Sequence, residues 1–405
     1  MSTSPRSRAA VGCLALLALA ACSGGGGQAA EPASPLVIGA SLSVTGPLGS
    51  IGGPQKEGYE RLVQDINAHG GVQVDGAKRM LKLVVLDNRS DAGAASQQAN
   101  ELILNNSAAL LVGGCTPPIN TPIAQTAEKN RVPLVTSCFP LGAFRGAAPQ
   151  GGWTYSWDFH FEETQQAEVL LKAADRANTN KNVAIFTDNE ADGVIQRQLF
   201  KSAADKAGYH VVGDYSFPVG QSDFSSSVGE AKAKGADVVL GQMIPPDGIA
   251  LFKQIKSLSY VPKVVSIAKA ADTAAWLDGL GTLGDGTVHN GFWLPKQNDP
   301  PTQAFIKAMD GKFKDTASLG IAAAAYSVGQ VAAKALSDAG STQREKVNEA
   351  VGKVSGTFVF GDIKFGADHT AVTPVVAEQW QGTDSKQVFP EAAGVQLIAP
   401  PTGLK

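Results

Sequence analysis

Few residues in this 405-residue chain are suited to metal or redox chemistry, for it has four cysteines and five histidines. None of the histidines falls in a zinc-ligand spacing. Once the N-terminus is processed only Cys22, Cys115 and Cys138 would remain, too few to build a metal cluster. Charge of one sign is lacking as well. Lys and Arg total 34 against 37 Asp and Glu, a net charge of −3, and no basic stripe interleaves with aromatics, so nucleic acid is not an expected partner. The chain has no G-x-S-x-G elbow and no phosphate-binding P-loop. Gly279, Gly281 and Gly284 match a dinucleotide fingerprint, but they follow the helix-like AAWLD instead of opening a helix after a strand. Asp188, Glu190, Asp192 and Gly193 imitate the start of a calcium loop, yet Leu199 stands where a bidentate Glu is required. No short repeat period is present. These absences argue against an enzyme and against a bound cofactor.

What is present begins with a targeting signal. Arg6 and Arg8 form a positive head, Val11 to Ala21 is an apolar run about half as long as a membrane-spanning helix, and Leu19-Ala20-Ala21-Cys22 follows. That tetrapeptide resembles a bacterial lipobox. The resemblance implies cleavage after residue 21 and lipid on Cys22, which anchors the protein to the outer side of the cell membrane without spanning it. Residues 22–35 are rich in Gly, Ala, Ser and Pro, cannot bury a core, and read as a flexible linker.

From Leu36 onward short β-branched runs alternate with amphipathic stretches, the pattern of βαβ units and parallel sheets. Val37 to Ala40 reads as a strand. Tyr59, Leu62, Val63 and Ile66 then fall on one helix face within Pro54 to His69, closed by Gly70-Gly71. Further strands are expected at Leu81 to Leu86, Leu110 to Val112 and Leu134-Val135. A Gly, Pro and aromatic-rich passage from Phe139 to Phe161 interrupts the rhythm. The alternation restarts with strands at Val183 to Phe186, Val211-Val212, Val238 to Leu240 and Val264 to Ile267. After Trp293 the chain turns helical, and the last strands are expected at Phe358 to Phe365 and Val375 to Trp380. The length suits two domains.

The segments LVIGASLSVTGPLGSIGG, GYERLVQDINAHGGV, LKLVVLDNRSD, LLVGGCTPPINTPIAQTAEKNRVPLVTSC, VAIFTDNEADG and FGDIKFGADHT, spread over nearly the whole mature chain, resemble the Leu/Ile/Val-binding proteins. The resemblance implies an α/β, type I periplasmic binding protein fold, with two doubly wound parallel-sheet lobes joined by a three-strand hinge. It implies an N-terminal lobe from 36–157 and 293–359 and a C-terminal lobe from 158–292 and 360–405, with crossings near Trp157, Phe292 and Phe360. It also implies a monomeric solute-binding lipoprotein that closes over a small ligand and delivers it to the permease of an ABC importer. A ligand-sensing receptor module of the same fold is the alternative.

Ligands of open parallel sheets sit at the carboxyl ends of strands. In the resembled family the loops after the third and fourth strands hold the ligand's carboxylate. Carried over, those positions are Cys115, Thr116, Pro117, Cys138, Phe139 and Pro140; since Pro117 and Pro140 have no N–H to donate, Thr116 and Ser137 must do more. The family's ammonium-binding acid falls on Lys269, which cannot serve an ammonium but suits a carboxylate. Asp192 is the candidate replacement acid, with Asp188 and Glu190 beside it or simply solvated at a helix start. Ile51, Met243 and Ile244 fall at apolar pocket positions. Trp153, Tyr155, Trp157, Phe159 and Trp293 flank the hinges, suiting either an aromatic ligand body or interlobe packing. Cys115 and Cys138 end neighbouring strands, close enough for a disulfide, the alternative being two buried thiols. The expected ligand is a small carboxylate, amino acid-like or aromatic.

Overall fold

A run of buried apolar residues on alternating strand positions opens the fold, and its two faces go to different cores. A computed structural model describes residues 34–295 and 298–405; the signal segment, Cys22 and most of the linker lie outside the described residues. In β1 (Leu36–Leu42) the residues Leu36, Ile38, Ala40 and Leu42 face one core, while Val37 packs into another. A short hairpin of β2 (Val72–Val74) and β3 (Ala77–Arg79) precedes β4 (Leu81–Asp87). With β5 (Leu110–Val112), β6 (Leu134–Ser137) and β7 (Ser156–His160) these strands build the first sheet. Its order is β4, β1, β5, β6, β7 and then a late strand, every pairing parallel. Both faces are covered by helices, so the strands read as near-continuous apolar runs.

The second sheet repeats the plan. β8 (Asn182–Asp188), β9 (His210–Phe217), β10 (Val238–Met243), β11 (Val264–Lys269) and β12 (Val288–Gly291) are parallel in the order β9, β8, β10, β11, β12. Phe186, Val239 and Val265 point to one core, and Val183, Ile185, Val238, Leu240 and Val264 to the opposite one. In each sheet the strand order reverses beside a central strand, which leaves a crevice at the strands' carboxyl ends.

The return to the first lobe after Phe292 is led by helix Pro300–Ala308 and then by Thr316–Ala339. The second of these starts where Asp315 accepts a hydrogen bond from Ser318 N at 2.7 Å and stops at Gly340, whose φ of 54° suits glycine. It is long and apolar enough to span a bilayer, yet most of it is buried against the first sheet, as a core helix is.

The end of the chain departs from the expected boundaries. Phe358 to Phe365 is not one strand but a hairpin of β13 (Ser355–Thr357) and β14 (Asp362–Lys364). The late strand of the first sheet is β15 (Thr370–Val372), paired with β7. Phe360 packs on Phe159 at 5.7 Å. The third crossing therefore comes after Val372, not near Phe360, and the first follows His160, three residues beyond Trp157. Three-residue β15 is too short to show a period of two, so the sequence pattern gave no sign of it. β16 (Val376–Gln381) and β17 (Asp384–Phe389) then complete the second sheet in antiparallel pairing.

Candidate functional site

The carboxyl ends of the strands meet across a cavity between the two lobes. On the first lobe's side, β5 runs into Gly113-Gly114-Cys115-Thr116. A Cβ on Gly113 would collide with the Thr136 side chain, so glycine is required where the loops after β5 and β6 converge. Cys115 and Cys138 are joined in a disulfide across the two loops, their Cα atoms 5.0 Å apart. Thr116 has φ 71° and Cys138 φ 66°, left-handed conformations rare for residues with a Cβ and unusual above all for β-branched Thr. Thr116 N donates to Cys138 O at 3.1 Å, which ties the loops together. Thr116 precedes helix Pro117–Asn130 without capping it: its hydroxyl is buried and has no hydrogen-bond partner.

The second lobe supplies charge. Helix Ala191–Lys206 starts so close to β8 that a Cβ on Gly193 would strike Asp188. This places Asp192 in the cavity wall beside Asp188 and Glu190. Lys269, at the end of β11 with φ 66°, reaches into this group. Its ammonium contacts the Glu190 carboxylate, lies 3.1 Å from Asp192 Oδ2 and 3.9 Å from Asp188 Oδ2. The three acids, which alone would suit a cation, are thus served by the protein's own ammonium. Burial by itself would lower the Lys269 pKa; the attraction of Asp192, then Asp188 and Glu190, outweighs it and the pKa is raised. Burial pushes the Asp188 carboxyl up to about 7, with Lys269 opposing and Asp192 and Glu190 reinforcing the shift.

Behind this cluster a polar chain fixes the acids. Gln166 donates to Gln242 at 3.0 Å, and Gln242 donates to Asp192 at 2.8 Å. Asp272 accepts from Lys269 N at 2.9 Å and from the backbone N and side-chain Nδ2 of Asn290, each at 3.0 Å. The lobes also touch directly: Ser50 Oγ donates to Thr273 Oγ1 at 3.2 Å, and Ile244 of the second lobe packs into the core that contains Ile51.

Of the residues singled out from sequence, Ile51, Cys115, Thr116, Pro117, Cys138, Pro140, Asp192 and Lys269 line the cavity. Ser137 lines a small chamber beside it. Phe139 does not: it is fully buried and packs on Phe144 at 5.4 Å. Met243 also points away, into the second lobe's core, and Ile244 is used in interlobe packing. The hinge aromatics are packing residues. Trp157 stacks on His369 at 3.6 Å, Trp153 donates to Phe144 O, and Trp293 donates to Val359 O. The aromatic rings lining the cavity are instead His160, Phe161 and Phe292. Gln242, Asp272 and Thr273 lie at or just beyond the carboxyl ends of β10 and β11, where ligands of open parallel sheets sit. Gln166, Asn290 and Ile321 carried no such signal.

Two doubly wound lobes, three crossings and a cavity between them define a type I periplasmic binding protein fold. The chain belongs to the periplasmic binding protein family, which matches residues 35–386. A Leu/Ile/Val-binding protein homolog of Brucella melitensis biotype 1 is 28% identical over 318 residues, covering 78% of this chain and 82% of the relative. Among solved structures, a leucine-binding protein from Thermotoga maritima superposes with a TM-score of 0.77 at 22% identity, covering 87% of this chain and 97% of the other. An ABC-transporter solute-binding protein from R. palustris in complex with benzoate gives 0.74 at 19% identity, covering 90% and 97%.

Proposed function

We propose that this protein is the solute-capturing lipoprotein of an ABC importer, held outside the cytoplasm by lipid on Cys22, and that its ligand is a small carboxylate without an amine. The reading rests chiefly on Lys269. Its ammonium occupies the acidic group that would otherwise receive a ligand's ammonium, so a zwitterion would have to displace a tethered lysine from three carboxylates. The first lobe offers the complementary pole. The buried, unpartnered Thr116 hydroxyl stands at the positive end of a 14-residue helix, where a carboxylate is favoured. Ile51, Ile321, Phe161 and Phe292 would enclose an apolar body. Binding does the work here: a ligand touching both lobes stabilises the closed state through contacts it makes only there. The relatives matched are named as binding proteins, which supports a binder over an enzyme.

Those names also support a second reading, a branched-chain amino acid whose ammonium competes with Lys269 for Asp192 in the cavity wall. Thermal shift against matched pairs, each carboxylic acid with its α-amino counterpart, separates the two, since binding raises Tm by mass action. Stabilisation by the amine-free acids alone supports the proposal; stabilisation confined to the amino acids overturns it.

A further inference from the structure

A second cavity lies against β12 and the crossing that follows it, and shares Asn290 and Phe292 with the cleft. Its walls come from both lobes. Trp293, Ile306 and Leu319 give an apolar side that is continuous with the first lobe's core. Glu378 on β16 and Ser385 on β17 give a polar side that belongs to the second lobe. The half-buried carboxylate is held in place there. A Cβ on Gly291 would stand 2.4 Å from Glu378 Cδ, so glycine at this point of β12 leaves the room in which the Glu378 side chain lies. Ser385 Oγ donates to Glu378 Oε2 at 2.5 Å and is 2.7 Å from Nε2 of the buried His289, whose Nδ1 stands 3.5 Å from Asp272 Oδ1. Among the described residues no ammonium or guanidinium pairs with Glu378, which accepts from Ser385 alone.

An anion does not fit these walls. The first turn of helix Thr316–Ala339 borders the cavity, but Asp315 already caps it and adds a negative charge of its own. A carboxylate without a cation, facing a wall of apolar side chains, suits an organic ammonium ion: the charge meets Glu378 and the carbon body covers Trp293, Ile306 and Leu319. We infer that this cavity is a second binding site, for a small organic ammonium ion with an apolar body, whose occupant bridges the two lobes beside the hinge. The site lies outside the cleft and does not rest on the carboxylate reading of the cleft's own ligand. The acids of the cleft do not offer the same chemistry, because Lys269 already serves them.

The test uses the full chain and two probes of nearly the same shape, benzylamine, which is protonated at neutral pH, and the uncharged benzyl alcohol. Calorimetry gives Kd, and the Tm of the ligand-free protein checks folding. On wild type benzylamine should bind at least about tenfold tighter than benzyl alcohol, the value of one charge-assisted hydrogen bond. Glu378→Gln keeps an acceptor for Ser385 and removes the charge; it should bring the amine down to the affinity of the alcohol and leave the alcohol unchanged. Equal affinities of the two probes for wild type, or binding by neither, overturn the site and leave the carboxylate reading of the cleft standing. Amine binding that survives Glu378→Gln also overturns the site, and if Asp192→Asn then removes it, the carboxylate reading falls as well. Should Glu378→Gln lower the ligand-free Tm, Leu319→Trp decides in its place: it narrows the apolar side, so amine binding should be lost, and amine binding left intact overturns the site.

Discussion

Replacing Lys269 by Met would leave Asp188, Glu190 and Asp192 without their cation. The lysine is 8% exposed and two of the acids are buried to 2% or less, so solvent screens little of the loss. Removing one partner of a buried ion pair costs about 3–5 kcal/mol, because the remaining charge is left uncompensated. With an unfolding entropy of about 2.1 cal/mol/K per residue over the roughly 370 described residues, that is a fall in Tm of about 4–6 °C. The loss should depend on pH. Lys269 holds the Asp188 pKa down against burial, so without it that carboxyl takes up its proton more readily as pH falls. The variant binds more protons when folded, and its stability recovers towards acid. Calorimetry of wild type and Lys269→Met at pH 8 and pH 5 reads this directly, and the Tm gap at pH 5 should be less than about half that at pH 8. A second consequence concerns the ligand: the vacated space should admit primary ammonium ions, so alkylamines or amino acids that leave wild type unaffected should stabilise the variant. A gap under about 1 °C, or one equal at both pH values, would refute the reasoning, since it would mean that Lys269 does not neutralise the cluster.

Thr116→Val keeps the β-branched shape at φ 71° and removes only the hydroxyl; it should weaken carboxylate binding by about ten- to a hundredfold, with Thr116→Ser close to wild type in calorimetry. Mass spectrometry of the unreduced protein should find Cys115 and Cys138 resistant to alkylation, and replacing both by Ser should cost about 3 kcal/mol, the chain-entropy value for a bridge across a separation of 23 residues. His160 has its pKa lowered from 6.5 to about 3 by burial. The unfolded state therefore binds the extra proton between those values, and His160 contributes stability that is present above pH 6.5 and lost as pH falls towards 3, with an upper bound of about 5 kcal/mol. His160→Leu should gain stability relative to wild type across that window in denaturant titrations, and parallel curves would contradict the assignment.

Much of the architecture was legible because parallel strands buried on both faces leave apolar runs that need no partner to be recognised. The central strands of both sheets and most helices fall where the alternation puts them. The failures have a common cause. β15 is three residues long, and β13 and β14 are separated by only four residues, so neither region carries a period. In the site, sequence reasoning found the loops but not the direction of the side chains. Phe139 follows Cys138 directly, yet Cys138 lines the cavity while Phe139 turns into the core. The left-handed backbone at Cys138 and Lys269 belongs to residue types that give no warning of it. Lys269 was recognised as incompatible with a ligand ammonium; that it would meet Glu190 and Asp192 required the two loops in space.

The central claim is that two lobes shut on a solute, and small-angle scattering tests it most directly. Ser50 donates to Thr273 across the cleft, a contact that opening of the lobes would break. The ligand-free protein should scatter as a larger, more open particle, and any solute that raises Tm should reduce its radius of gyration. An unchanged profile in the presence of a stabilising solute would contradict the account.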